Sequence, residues 1–505
     1  MHRRIALPAA LALALALTGC GRPSTGPAPA DGPAPAAAES LPDLAALHAD
    51  VPGIAWHDGD IESAFAAART TGRPVLLFWG AQWCPLCKQL KASVFARPDF
   101  IEKSKLFVPV YLDGDLPAAQ KWGDVFRVTG YPTVVVLTPD RTEITRLAGG
   151  MDLTLYAGLL DSALGDVRPV QDLVDLAADG TVPLATDDCR RLAYHAFGLD
   201  DDTVFAAARL ADAFEGAAAR CPAEMGRERA RLTLLAAGTL GRDRATAIIA
   251  GAAPDARHRR LIRAADQVLA DRDAALDNLD VLAGLGATFF TAARRGEPDL
   301  VPGLLARWNA VADAASADPR FTPGDRLAAE RLKIAAARAV ADDGLVPAPV
   351  VAAAVARAEA MLAEKLGAYD RAGVVNAAVN VYLDLNELDR ARSLLTDAAA
   401  TSPTPWYYLA DLALVEERAG NGARAVELLA EAWTQSTGTA SRFQWGYNYV
   451  SGLVRLRPDD TAAIEQAALQ MLGELKGPDA LHRRSRQRLG KLRQQLADWN
   501  TTPER

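Results

Sequence analysis

The sequence predicts an α/β domain, a central mixed sheet flanked by helices, followed by a longer all-α region. Three observations carry that prediction. Between residues 60 and 164, apolar residues at helical spacing alternate with short unbroken apolar runs, the pattern of strands buried on both faces. Beyond Pro169 strand signals almost vanish, and Ala, Leu, Arg and acidic residues recur at helical spacing with breaks at Gly and Pro. Late in the chain a period of 34 residues appears: Asn386, Ala391, Leu395 and Ala398 recur as Gly420, Ala425, Leu429 and Ala432.

The α/β elements follow in order. Asp60 opens a helix that stops near Gly72, and Val75 to Trp79 forms a buried strand. Trp83-Cys84-Pro85-Leu86-Cys87-Lys88 then turns into a helix running towards Phe95. Leu106 to Leu112 reads as a second buried strand and Pro117 to Arg127 as a helix. Thr133 to Leu137 and Thr142 to Leu147 pair through the turn Pro139-Asp140-Arg141, and a helix from Leu153 to Leu164 closes the unit.

Composition sets outer bounds. Of 505 residues, 50% are hydrophobic, 23% charged and 6% aromatic, which excludes global disorder and suits several domains. A net charge of −8 argues against nucleic acid as a partner, because that role needs a basic face. No apolar run of 18 or more residues follows the first twenty. Nor does a phosphate-binding glycine loop, a Ser/His/Asp set or a metal motif appear, so no cofactor and no metal are expected.

The amino terminus reads as an address. Met1 to Arg4 is a short positive region, Ile5 to Leu17 an apolar stretch too short to span a bilayer, and Leu17-Thr18-Gly19-Cys20 comes next. This layout resembles the signal and lipobox of bacterial lipoproteins. That resemblance implies cleavage after residues 1–19, lipidation of Cys20 and a membrane anchor; the alternative is an ordinary secretory signal with a chance cysteine. Gly21, rather than Asp, follows the cysteine, which in that family implies sorting to the outer membrane rather than the inner. Residues 20–50 are rich in Pro and Ala and read as a tether.

The cysteine pair carries the chemistry. A thiol attacks a disulfide only as thiolate, and a helix start, with its free N–H groups and dipole, stabilises that charge. Cys84 falls at such a start, Pro85 at the first turn costs no hydrogen bond, and a two-residue spacer brings Cys87 within reach. Half of a zinc site is the competing reading of a lone C-x-x-C, but no second pair completes one. Trp83 to Lys88 after an apolar strand, with Gly130-Tyr131-Pro132-Thr133 about 45 residues on, resembles the thioredoxin superfamily. Ser63 to Arg69, Arg73-Pro74, Val94-Phe95 and Pro98-Asp99-Phe100 resemble a subgroup that includes the C-terminal periplasmic domain of the bacterial thiol:disulfide interchange transporter. The likeness spans about residues 51–167. It implies that Cys84 attacks, that Cys87 resolves, and that Pro132 is a cis-proline flanking the cleft. Trp83, Tyr131 and Thr133 would then meet an extended substrate. One position departs: the buried Asp that the family often carries six residues before the first Cys is Phe78. Proton handling then falls to another group or to water. Leu86 cannot donate a hydrogen bond to a thiolate, and the subgroup's habit favours reduction or isomerisation.

The helical region divides at about residue 370. Residues 371–505 resemble tetratricopeptide repeats on the 34-residue period, with Val375, Ala378 and Val379 recurring as Leu409, Leu412 and Ala413 and Pro403 closing the first unit. The competing reading is an Ala-rich bundle with accidental periodicity. A third unit, from about Arg442 to Leu472, does not keep the period, and residues 168–370 read as divergent helical pairs. Cys189 lies near the start of one expected helix (Thr186–Phe197) and Cys221 just past the end of the next (Thr203–Arg220). A hairpin would bring both to one end, where an oxidising compartment would join them as a structural disulfide. Arg257-His258-Arg259-Arg260 and Arg483 to Arg493 read as solvated basic faces, the alternative for the tail being anionic head groups.

Together these readings predict a lipid-anchored, periplasm-facing thiol:disulfide oxidoreductase whose partners are protein thiol or disulfide substrates and an envelope redox donor. The helical repeats would recruit partners. The rival reading is a non-catalytic scaffold in which the α/β domain only docks.

Overall fold

The computed structural model describes residues 51–501 apart from 129, 149–158, 165–166, 181, 198–204, 250–254 and 477–479. Cys20, the leader and the tether therefore lie outside the described residues.

Asp60 caps the first helix, α1 (Ile61–Thr71), by accepting the Ser63 N–H at 2.8 Å, and Gly72 ends it. The chain continues through β1 (Val75–Gly80), α2 (Pro85–Leu90), α3 (Pro98–Ser104), β2 (Val108–Asp113), α4 (Pro117–Val125), β3 (Thr133–Leu137) and β4 (Glu143–Ala148). The strands form one mixed sheet in the order β2-β1-β3-β4, with β1 parallel to β2 and antiparallel to β3. Side chains of β1 alternate strictly. Leu76 and Phe78 enter one apolar cluster with the two thiols, while Leu77 and Trp79 enter another with α1 and α4. Burial on both faces is why this strand reads as an unbroken apolar run.

Two details differ from the sequence reading. The helix after the cysteine pair is interrupted by a π-helical turn (Lys91–Phe95) before α3, and β2 starts at Val108 rather than Leu106, which sits exposed in the preceding turn. Of the expected helix from Leu153 to Leu164, only its last part is described, with 159–161 helical.

From Val170 onward all the described regular elements are helices. The apolar cluster around the thiols runs on into this region as far as Leu261, so the first helices share a core with the sheet. The outer edge of β4 is covered as well: Arg146 N–H donates to His195 Nδ1 at 3.1 Å, and Ala196 N–H donates to the Arg146 carbonyl at 2.8 Å. A second cluster, Leu327 to Leu492, holds three successive helical hairpins: Ala368–Leu385 with Leu388–Thr401, Pro405–Arg418 with Gly422–Gln435, and Thr439–Leu456 with Thr461–Leu472. The third hairpin loses the sequence period for a geometric reason. Its first helix starts on the period, at Thr439 after Pro405, but runs four residues further at its C-terminal end, 18 residues against 14, which displaces its second helix along the chain.

The basic stretches are solvated only in part: Arg260 and Arg486 keep more than half of their side chains exposed, yet both stretches are also paired. Arg257 pairs with Asp212 and Glu215, and Arg260 with Glu215. The last helix (Arg483–Asn500) turns its basic start onto the α/β domain: Arg486 pairs with Asp124 at 2.9 Å, and the Arg484 guanidinium lies 4.6 Å from the centre of the Tyr131 ring. Burial pulls the Arg488 pKa down to about 10. Acidic side chains at the ends of β2 and α4 supply the attraction that the linear sequence conceals.

Candidate functional site

The site grows from the C-terminal end of β1. After Gly80 the chain turns tightly, with Cys84 N–H donating to the Ala81 carbonyl at 3.1 Å. Cys84 is the N-cap of α2, with Pro85 in its first turn, and its sulfur accepts the Cys87 N–H at 3.2 Å. Free helix N–H groups at this position favour a thiolate over a thiol.

Both thiols are free and almost enclosed: Cys84 is 4% exposed and Cys87 0%. Their surroundings push them apart in acidity. A hydrogen bond from the Cys87 thiol, helped by the Cys87 and Leu86 backbone N–H groups and by the Lys91 charge, holds Cys84 below the ordinary thiol range against the opposing effect of burial. Burial first, then the hydrogen bond to Cys84 and the charge on it, drives Cys87 well above that range. The first sulfur is thereby readied as a nucleophile while the second keeps its proton.

Beneath the pair, the Phe78 position is filled by rings. Phe78 lies 4.7 Å from Tyr111 and 5.0 Å from Phe95, centre to centre. Where the acidic group of the resembled family would stand there is hydrocarbon, and the nearby buried charge is cationic: Lys91 Nζ sits 5.0 Å from the Tyr111 ring centre. Lys91 was legible in principle, four residues after Cys87 on the same helical face.

The Tyr131–Pro132 peptide bond is cis and leads directly into β3. Thr133, fully buried opposite Trp79, donates its hydroxyl to the Gly130 carbonyl at 3.0 Å. Trp83 packs edge-on against Tyr131 at 5.8 Å, and its indole N–H donates to Asp115 at 2.5 Å. Thus Trp83 and Tyr131 meet beside the turn that carries Cys84, with Pro132 and Thr133 next along the chain.

Several partners of that turn escaped sequence reasoning. Tyr407 faces Trp83 at 6.1 Å from the far side. Asp115 accepts the Ser441 hydroxyl at 2.7 Å, and burial pushes its carboxyl up to about 6. Gln89 of α2 donates to Thr322 at 2.8 Å. Tyr407, Ser441 and Thr322 lie more than 200 positions from the cysteine pair, and nothing local announces them.

The other two described cysteines stand apart from this chemistry. Cys189 and Cys221 are joined as a disulfide, with Cα atoms 5.9 Å apart. Among the described residues no group of three or more metal-ligating side chains occurs, and no helix is long and apolar enough to cross a membrane.

Comparison with known proteins agrees with this architecture. Residues 61–164 match the family model of a thioredoxin-like domain. The chain is similar to thiol:disulfide interchange protein DsbD 1 of Pseudomonas aeruginosa, 28% identical over 121 residues, which are 22% of this chain and 20% of that protein. It is similar also to thiol:disulfide interchange protein DsbD of Pseudomonas fluorescens, 30% identical over 101 residues, 19% of this chain and 17% of that one. The chain thus spans about a fifth of the length of the curated relatives it matches. Residues 61–164 are a thioredoxin-like domain, built on a four-stranded mixed sheet and succeeded by a mostly helical region.

Proposed function

We propose that this protein is a thiol:disulfide oxidoreductase of the bacterial envelope, anchored through a lipidated Cys20 and facing the periplasm. The observation that carries the reading is the Cys84 sulfur at the helix start, accepting the Cys87 N–H at 3.2 Å and acidified relative to its neighbour. The Cys84 thiolate attacks one sulfur of a substrate disulfide; that S–S bond breaks, a mixed disulfide forms, and the first substrate sulfur leaves as thiolate. Cys87 then loses its proton to water and attacks the Cys84 sulfur; the bond from Cys84 to the substrate breaks, a Cys84–Cys87 disulfide closes, and the second substrate sulfur leaves as thiolate and takes a proton from solvent. Two electrons have passed to the substrate, and an envelope dithiol donor must restore the pair. Lys91 stabilises the thiolates in place of the missing acid at Phe78.

Similarity to the interchange proteins supports thiol:disulfide exchange in general, with reduction or isomerisation the proposed direction. The helical hairpins act in recruitment, as tetratricopeptide-like arrays do, through the groove of about 470 Å³ lined in part by Arg392, Leu409, Leu412 and Glu416. The near-complete enclosure of both thiols favours one second reading, a docking module without turnover.

Trapping separates the two. With Cys87→Ala, the attacked substrate stays attached to Cys84 and can be identified by mass spectrometry. An absence of mixed disulfides, together with no insulin reduction by the wild-type chain, would overturn the enzymatic reading.

A further inference from the structure

A thiol that exchanges with protein disulfides needs an open face, and here that face is occupied by the chain's own helices. Four ties from four different helices reach the dithiol domain. Gln89 of α2 binds Thr322, the cap of the helix Pro323–Ala328. Trp83 faces Tyr407 of the helix Pro405–Arg418, whose hydroxyl accepts from Asn376 at 3.3 Å. Asp115 holds Ser441 of the helix Thr439–Leu456, and Tyr131 lies under Arg484 of the last helix.

How these ties are built matters. The apolar cluster around the thiols is continuous with the helices of residues 170–261, so that part of the helical region is fused to the domain. The cluster of residues 327–492 is separate from it. Among the described residues, Trp83 is the one side chain packed against both. The contact over the dithiol is thus made of hydrogen bonds, ring faces, one charge–ring pair and the Arg486–Asp124 ion pair rather than of shared core. Such contacts open at far lower cost than a packed core does.

One node is drawn especially close. The Asp115 carboxylate accepts from both Trp83 Nε1 and Ser441 Oγ, which joins the turn of Cys84 to the cover in a single group. Gly438, just before that helix, comes so near that a Cβ would fall 2.9 Å from the carboxylate, and its φ of +82° is itself one that other residues rarely adopt. Leu86, between the two cysteines, is 52% exposed, so the turn stays reachable there.

We propose that residues 322–500 form a latched cover on the dithiol, which admits small thiols and disulfides but keeps protein disulfides away from Cys84 until the Asp115–Ser441 latch parts. This rests on Cys84 being the exchanging thiol.

The test uses the reduced full-length chain. Iodoacetamide and a maleimide-linked polyethylene glycol are compared as small and bulky probes, each read on the peptide that carries Cys84. Ser441→Ala and Gly438→Ala loosen the latch, and Gln89→Ala loosens a separate tie should either fail to fold. Raising the open population is expected to speed the bulky probe about fivefold or more while the small probe changes by less than about twofold. Equal acceleration of both probes, or none of either, overturns the cover. The two readings fail differently. A shifted probe ratio with no insulin reduction by the loosened variants upholds the cover and overturns the exchange function, whereas an unchanged ratio with active insulin reduction overturns the cover alone.

Discussion

Two cysteine pairs share one apolar cluster in this molecule, and their exposure is the same: 4% and 0% for Cys84 and Cys87, 0% and 4% for Cys189 and Cys221. Burial therefore does not distinguish a poised dithiol from a structural disulfide. Helix position does. Cys84 caps the N-terminus of α2, where N–H groups point at its sulfur, whereas Cys221 caps the C-terminus of the helix Ala207–Arg220, where the dipole opposes a thiolate. The first pair is only three positions apart and free; the second closes a separation of 32 residues and is bonded.

The sharpest test of that contrast is deletion. Cys84→Ala is expected to bring insulin reduction down to the uncatalysed background, while Cys189→Ala with Cys221→Ala leaves the Cys84 alkylation rate unchanged. The second variant instead loses stability, by roughly 3–4 kcal/mol if the loop-closure account holds, which a denaturant titration reads directly. A comparable loss of exchange in both variants would erase the distinction.

Asp115 offers the next largest effect. Its carboxyl is pushed from 3.8 up to about 6, so the folded chain binds that proton more tightly than the unfolded one does. Stability is then lost as pH rises from about 4 to about 6, by up to about 3 kcal/mol at 1.36 kcal/mol per pH unit. Asp115→Asn removes this slope. Relative to wild type the variant should gain by up to that amount between pH 4 and pH 7; parallel stability curves would show that the carboxyl titrates normally.

Smaller shifts concern the thiols. The pH profile of Cys84 alkylation should have its midpoint below that of an ordinary thiol, with Cys87 unreactive until well above it. Lys91→Met removes a cation that favours both thiolates and should move the Cys84 midpoint upward without changing the helix content seen by circular dichroism. An unmoved midpoint would assign the acidity to the helix start and the Cys87 hydrogen bonds alone.

Much of the α/β domain was legible from local pattern. Val75 to Trp79 announces itself because both of its faces are buried, and Asp60 and Gly72 bracket α1 through side-chain capping and a left-handed C-cap. The cysteine spacing, with Pro85 and the upstream strand, located the site. Less was legible where a residue's role depends on a distant partner. Arg484 and Arg488 looked like solvent-facing charges, because only the folded chain sets them against Tyr131 and Gln444. The hairpin starting at Thr439 broke the 34-residue period because its first helix is longer, a change that periodicity counting reads as absence.

The sequence by itself determined the sheet, the capped helix with its two sulfurs, and the helical character of the chain beyond Pro169, since each depends on residues a few positions apart. Tertiary structure alone decided that Cys84 lies under the chain's own helices. Contacts such as Asp115 with Ser441 cross 326 positions, and no spacing rule reaches that far; they exist because two separately built apolar clusters meet at Trp83.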